Sequence, residues 1–156
     1  MPDLPGVQYR RILVATGGAA HSEVATQRAA HLALQFSAPL HIVSVIPQGR
    51  PGLENVTAAF AGSSDLDGRV TQDTHQRINR HLHSTAADAR SLGLDVHEHL
   101  ITALKPADAI LSVAREVDAD LIVLGRRHTS AWSAALAGSV ADMVSHASPV
   151  DVLVAR

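Results

Sequence analysis

The chain has 156 residues, 46% of them hydrophobic and 18% charged, with a formal net charge of −2. That size and apolar content suit a single domain over 1–156 with a buried core, and exclude a disordered or low-complexity protein. The absence of cysteine excludes disulfides, CxxC redox chemistry, thiol nucleophiles and thiolate zinc sites, and the slightly acidic balance argues against nucleic acid as a partner.

In chain order, Met1-Pro2-Asp3-Leu4-Pro5-Gly6 has neither a basic start nor a long apolar run, so no signal peptide is expected and residues 1–8 read as a flexible lead. Ile12-Leu13-Val14-Ala15 is apolar at every position and is followed by Gly17-Gly18, the pattern of a strand buried on both faces in a parallel sheet. Ser22 is an N-cap candidate for a helix whose Ala25, Ala29, Leu32, Ala33 and Phe36 recur at helical spacing, with Pro39 closing it. Leu40–Ile46 reads as the second strand. Residues 47–68 then turn to Gly, Pro and Ser and read as a long connection, of the kind that in compact domains is usually functional.

A helical pattern resumes from Leu66 to Leu92 through Val70, Ile78, Leu82, Ala86 and Ala89, and Gly93 is a natural stop. Leu94–Ile101 reads as a third strand, polar enough at His97 and Glu98 for a sheet edge. Pro106 suits the first turn of a third helix, with Ile110, Leu111, Ala114 and Val117 inward. Leu121–Leu124 is the fourth strand, ending at Gly125. It is also the longest purely aliphatic run, far short of the ~20 residues that span a bilayer, so a cytoplasmic protein with no membrane partner is expected. A loop over 126–137 leads to a helix opened by Gly138-Ser139 and broken by Pro149, and Val150–Val154 is the last strand. This alternation predicts an α/β fold, a doubly wound, Rossmann-like parallel sheet of five strands with its crevice at their C-terminal ends.

GxxxxGK[ST], GxGxxG, HExxH and GxSxG are all absent from the chain. Leu124-Gly125-Arg126-Arg127-His128, nine residues and then Gly138-Ser139-Val140 form a strand end, a loop and a helix start. Exposed N–H groups at such a start, with the dipole's positive end, favour an anion. Gly138 permits close backbone approach, Ser139 adds a hydroxyl, and Arg126 and Arg127 present guanidinium groups suited to phosphate. An ordinary helix start with solvated arginines fits the same residues.

With these residues the chain resembles the universal stress proteins, from Arg11-Ile12-Leu13-Val14-Ala15-Thr16 to Pro149-Val150-Asp151-Val152-Leu153-Val154. Its most diagnostic stretches are Ala119-Asp120-Leu121-Ile122-Val123-Leu124-Gly125 and Ala137-Gly138-Ser139-Val140. The resemblance implies strand order 3-2-1-4-5, a homodimer through the last strand, and binding of ATP, with Mg, or of a related adenine nucleotide. By position it implies a pocket of Ala15, Gly17, Val45, Leu124, Gly125, Arg126, Arg127, His128, Gly138, Ser139 and Val140. It also implies a stress-response or signalling module rather than an enzyme, weak ATP hydrolysis aside.

Two positions depart from the ATP-binding pattern: Gly17 stands where such members carry Asp, and His128 replaces the second loop glycine. Losing a charge-assisted hydrogen bond from that Asp costs about 1.5–3 kcal/mol, and a left-handed backbone at 128 would add ~1–2 kcal/mol of strain with a side chain present. A nucleotide-free dimeric interaction protein of the same family is therefore the alternative.

The chain has ten histidines. His97 and His99, two apart on a strand, share a face that could hold zinc, nickel or copper, but no cysteine or carboxylate motif completes a site, and solvated edge residues are expected instead. His75, His81 and His83 read as decoration of a solvent-facing helix. Ser139 has no evident base beside it, and Trp132 reads as an anchor packing its loop down.

Overall fold

The computed structural model describes residues 6–17, 20–48, 64–126 and 140–156. Expectations placed on 1–5, on most of the 47–68 connection, and on Arg127, His128, Trp132, Gly138 and Ser139 lie outside the described residues.

In chain order the elements are β1 (Ile12–Ala15), α1 (Ala20–Phe36), β2 (Leu40–Pro47), α2 (Ser64–Ser91), β3 (Val96–Ala103), α3 (Pro106–Glu116), β4 (Leu121–Gly125), α4 (Val140–Ala147) and β5 (Asp151–Ala155). Every pairing is parallel, and the strand order is β3-β2-β1-β4-β5. This is the expected doubly wound α/β sheet.

Side-chain alternation along the central strands feeds two cores. Ile12, Val14, Leu40, Ile42, Leu121 and Val123 meet Ala25, Ala29 and Ala33 of α1 and Leu82 and Ala86 of α2. Leu13, Val43, Ile122 and Leu124 meet Ile110, Leu111 and Val113 of α3 and Val144 of α4. Alanines on α1 let that helix lie close against the strands. Each fully buried Leu, Ile or Val contributes about 1.5–3 kcal/mol of hydrophobic transfer, so the central strands are the main apolar reservoir.

The corners between helices and strands correct several sequence boundaries. The first helix stops at Phe36, before Pro39, because Ser37 takes a left-handed backbone with φ 53°. Ala38 N–H then donates to Ala33 O at 2.9 Å and Ser37 N–H to Leu34 O at 3.3 Å, the paired bonds of a Schellman motif. At the end of α3, Asp118 (φ 52°) does the same, with Ala119 N–H on Ala114 O at 2.9 Å and Asp118 N–H on Arg115 O at 3.2 Å. Gly93 (φ 84°) ends α2 as expected.

Because Leu94 and Asp95 complete that corner, β3 begins two residues later than predicted, and its last residues, Thr102 and Ala103, pair with Ile46 and Pro47. β5 starts at Asp151 because Ser148 holds Val150 in the preceding turn: its hydroxyl donates to Val150 O at 2.8 Å and accepts from Val150 N–H at 3.2 Å. Ser22 is not a cap. The helix already begins at Ala20, and Ser22 is buried inside it.

The lead into β1 is tied down by side chains from across the sheet. Asp120 accepts from Arg10 N–H at 2.8 Å and from Arg11 N–H at 3.0 Å. Tyr9 packs edge-on against Phe36, centroids 5.4 Å apart, and donates its phenolic O–H to Asp151 at 3.0 Å. Partial burial, then the Asp151 carboxylate, raise the phenol's pKa and keep it a donor. Among the described residues no helix is long and apolar enough to cross a membrane.

Ser37 carries a side chain where glycine would be unstrained, at a cost of roughly 1–2 kcal/mol in the left-handed region, partly offset by glycine's greater loss of backbone freedom. Ser37→Gly is expected to raise stability by several tenths to about 1 kcal/mol, read as a higher urea midpoint at unchanged slope.

Candidate functional site

In this topology the connection after β1 leads to one side of the sheet and the return from β3 to β4 leads to the other. The switch point between β1 and β4, at their C-terminal ends, is where an open α/β sheet presents a crevice. Ala15, Thr16 and Gly17 reach it from β1, Val45 from β2, and Gly125 and Arg126 from β4, with Val140 opening α4 beyond.

The side chains at this end divide the work. Ala15, Val45 and Val140 are half-buried and pack against the second core, and Leu124 lies within it, so Leu124 offers the crevice only its backbone. Gly125 closes the β4–β5 ladder opposite Ala155, and Arg126 N–H extends that ladder to Ala155 O at 2.9 Å while its side chain is exposed. Gly17 is exposed, and a Cβ built on it would meet nothing within 4 Å. The position has room for a side chain that the sequence does not supply. Of the sequence-derived pocket residues, Arg127, His128, Gly138 and Ser139 lie outside the described residues, and the other seven gather at this end of the sheet.

A small polar network fixes the tip of β1. Thr16 N–H continues the ladder to Val43 O at 2.9 Å, and the hydroxyl of fully buried Ser44 donates to Thr16 O at 2.8 Å. The Thr16 hydroxyl, itself buried, lies 2.8 Å from Nε2 of His81 on α2, and Thr85 Oγ1 is a longer neighbour of that nitrogen at 3.4 Å. His81 is therefore not surface decoration but a bond from α2 to the strand tip. Its signal was its spacing: three residues after Ile78 and four before Thr85, it flanks the inward stripe of its helix.

His83 keeps its expected exposure and pairs with Glu98, which also accepts from Arg90 at 2.7 Å. Partial burial opposes ionisation of Glu98, but the bonds from Arg90 and His83 win and lower its pKa. Between α1 and α2 runs a groove of about 650 Å³, walled by Glu23, Gln27, His31, His81, Thr85 and Asp88. His97 and His99 share a face as expected, but toward the N-terminal ends of the strands and away from the crevice. Neither is simply a solvated edge residue: His99 bonds the buried His41, and the His97 ring stacks on it. Among the described residues no group of three or more His, Cys, Asp or Glu is placed to hold a metal ion.

The profile of the universal stress protein family matches residues 8–156. A protein of Staphylococcus aureus (strain USA300) that carries the universal stress protein name is 27% identical over 151 residues, covering 96% of this chain and 86% of its own. A universal stress protein solved in complex with cAMP is 26% identical with a TM-score of 0.70, over 96% of this chain and 99% of that one. The universal stress protein from Archaeoglobus fulgidus solved in complex with dAMP is 26% identical with a TM-score of 0.62, over 96% of this chain and 100% of that one.

Removing the Ser44 hydroxyl leaves Thr16 O without its buried donor. Ser44→Ala is expected to cost about 1–2 kcal/mol of stability, measured by equilibrium unfolding in urea, with faster amide exchange at Thr16 as the local signature.

Proposed function

Because this chain belongs to the universal stress protein family, we propose that it binds an adenine nucleotide in the crevice above β1 and β4 and acts by binding rather than by turnover. The observation that carries this reading is the switch point itself. Exposed Gly17 follows the tip of β1 and half-buried Gly125 ends β4, so backbone borders the opening on both sides. Sequence adds Gly138-Ser139 just before Val140, where helix N–H groups would meet phosphate, and two relatives of similar fold were solved with cAMP and dAMP. The aliphatic side chains of Ala15 and Val45 suit the base, and Arg126 suits the phosphates. ATP is the nucleotide this reading favours. Any Mg would arrive with the phosphates, since Mg is typically bound through one or two carboxylates plus substrate phosphates.

A second reading, a nucleotide-free dimer, draws on Gly17, which supplies no carboxylate beyond the tip of β1, and on β5. This edge strand carries half-buried Val152, Leu153 and Val154 on a ladder paired only with β4 among the described residues. Antiparallel pairing of two β5 edges would give an isologous dimer. In either reading the protein is taken to be a cytoplasmic stress-response module.

Titration calorimetry with Mg-ATP, AMP and cyclic AMP tests the first reading, and binding of at least one below millimolar concentration is the expected result. Heat from none of them at millimolar ligand would overturn it. Gly17→Asp fits without a clash and is expected to tighten ATP by about ten- to a hundredfold, the worth of one charge-assisted hydrogen bond. For the second reading, sedimentation at tens of micromolar protein is expected to return a dimer, and a monomer would overturn it.

A further inference from the structure

Toward the N-terminal ends of β2 and β3, three imidazoles meet on one face of the sheet. The register sets His41 beside His97 and Val43 beside His99, so alternate residues of two neighbouring strands bring all three rings to the same side. It is the side of Val43, Val45 and Ile101, which pack with α3 in the second core. His41 Nδ1 and His99 Nε2 lie 3.0 Å apart in hydrogen-bond geometry. The His41 ring stacks on His97 with centroids 4.6 Å apart and planes 15° apart, and lies over His99 at 5.3 Å and 28°. His41 is only 8% exposed, unusual for a titratable side chain that the crevice does not use.

The bond between His41 and His99 exists only while one facing nitrogen carries a proton and the other does not. If both were protonated, two donors and two positive charges would face each other at the distance of a hydrogen bond, beside a third ring. The other charged groups that act here are Arg11 before β1, Asp95 before β3 and Glu116 at the end of α3. Asp95 Oδ2 lies 3.2 Å from His97 Nε2. Burial, then His97, His99 and Arg11, push His41 down to about 4 against the pull of Asp95. Burial and then His97 lower His99 too, against Glu116.

We propose that His41 and His99, with the His97 ring stacked beside them, form a proton-sensitive latch, which joins β2 and β3 beneath the end of α3 while the His41–His99 bond holds and lets that corner open as the pH falls. The sign follows from proton counting. In an opened or unfolded chain the imidazole of His41 takes up a proton near 6.5, whereas in the closed corner it does so only near 4. The closed form therefore binds fewer protons between those values. The latch contributes fully above 6.5 and is lost as the pH falls from there toward 4. Acidification within the range in which histidines work as switches thus acts on one corner of the sheet, far from the crevice and independently of any nucleotide there.

The test is amide hydrogen exchange on the intact chain between pH 7 and pH 5, corrected for intrinsic rates, in buffer with EDTA so that no bound metal contributes. In the wild type the opening constant of β2 and β3 amides is expected to rise about twentyfold over that interval, the ratio given by moving one imidazole from 6.5 to about 4. Amides of β4 and β5 should rise far less, and His41→Gln, which bonds but does not titrate, should flatten the β2–β3 response. An equal response across all five strands, or an undiminished one in the variant, overturns the proposal. Should His41→Gln not fold, NMR titration of the wild-type rings decides it: His41 still neutral at pH 5 supports the latch, and a midpoint near 6.5 overturns it.

Discussion

β1 is the middle strand of the sheet, hydrogen-bonded on both edges and covered on both faces. Ile12, Leu13 and Val14 have no exposed surface, so successive residues must be apolar in both directions and must fit two different helical layers. Ile12 and Val14 join the layer of α1 and α2 while Leu13 joins that of α3 and α4. Pairing with Leu40–Val43 on one side and Leu121–Val123 on the other then fixes the register of the neighbouring strands. Because the chain leaves β1 toward one side and returns to β4 on the other, the same strand that organises both cores ends at the one place where the layers part. Core and crevice are thus two consequences of a single four-residue strand.

This explains which parts of the fold were legible in the sequence. A strand buried on both faces leaves an uninterrupted aliphatic run, and Ile12–Ala15 and Leu121–Leu124 read directly as such, as did the alanine face of α1. Corners were less legible. Proline and glycine are visible punctuation, but Ser37 and Asp118 end helices in a left-handed conformation that their side chains do not advertise, so Pro39 drew a boundary that belonged to Ser37.

The candidate site was legible in part. Its backbone contributors followed from strand ends, whereas the bond between Thr16 and His81 joins residues 65 positions apart and depends on how α2 is rotated against the sheet. The same holds for His41, whose partners became evident only once the register placed β2 beside β3. A local pattern contains the two-residue spacing of His97 and His99 but not the neighbour that turns a pair into a cluster.

The two edges of the sheet are unlike. β3 carries His97 and Glu98, engaged by Asp95 and by His83 with Arg90, and such charge discourages another strand from adding itself. β5 has aliphatic residues at its centre and an acidic residue only at its start. That acidic residue, Asp151, holds Tyr9, whose ring also leans on Phe36 at the end of α1. Tyr9 is the only tyrosine in the chain, and Trp132, in the connection between β4 and α4, is the only tryptophan. The molecule therefore carries a natural fluorophore at this border. Emission from the tyrosine, sensitive to the carboxylate it touches, reports on the β5 border with no label attached.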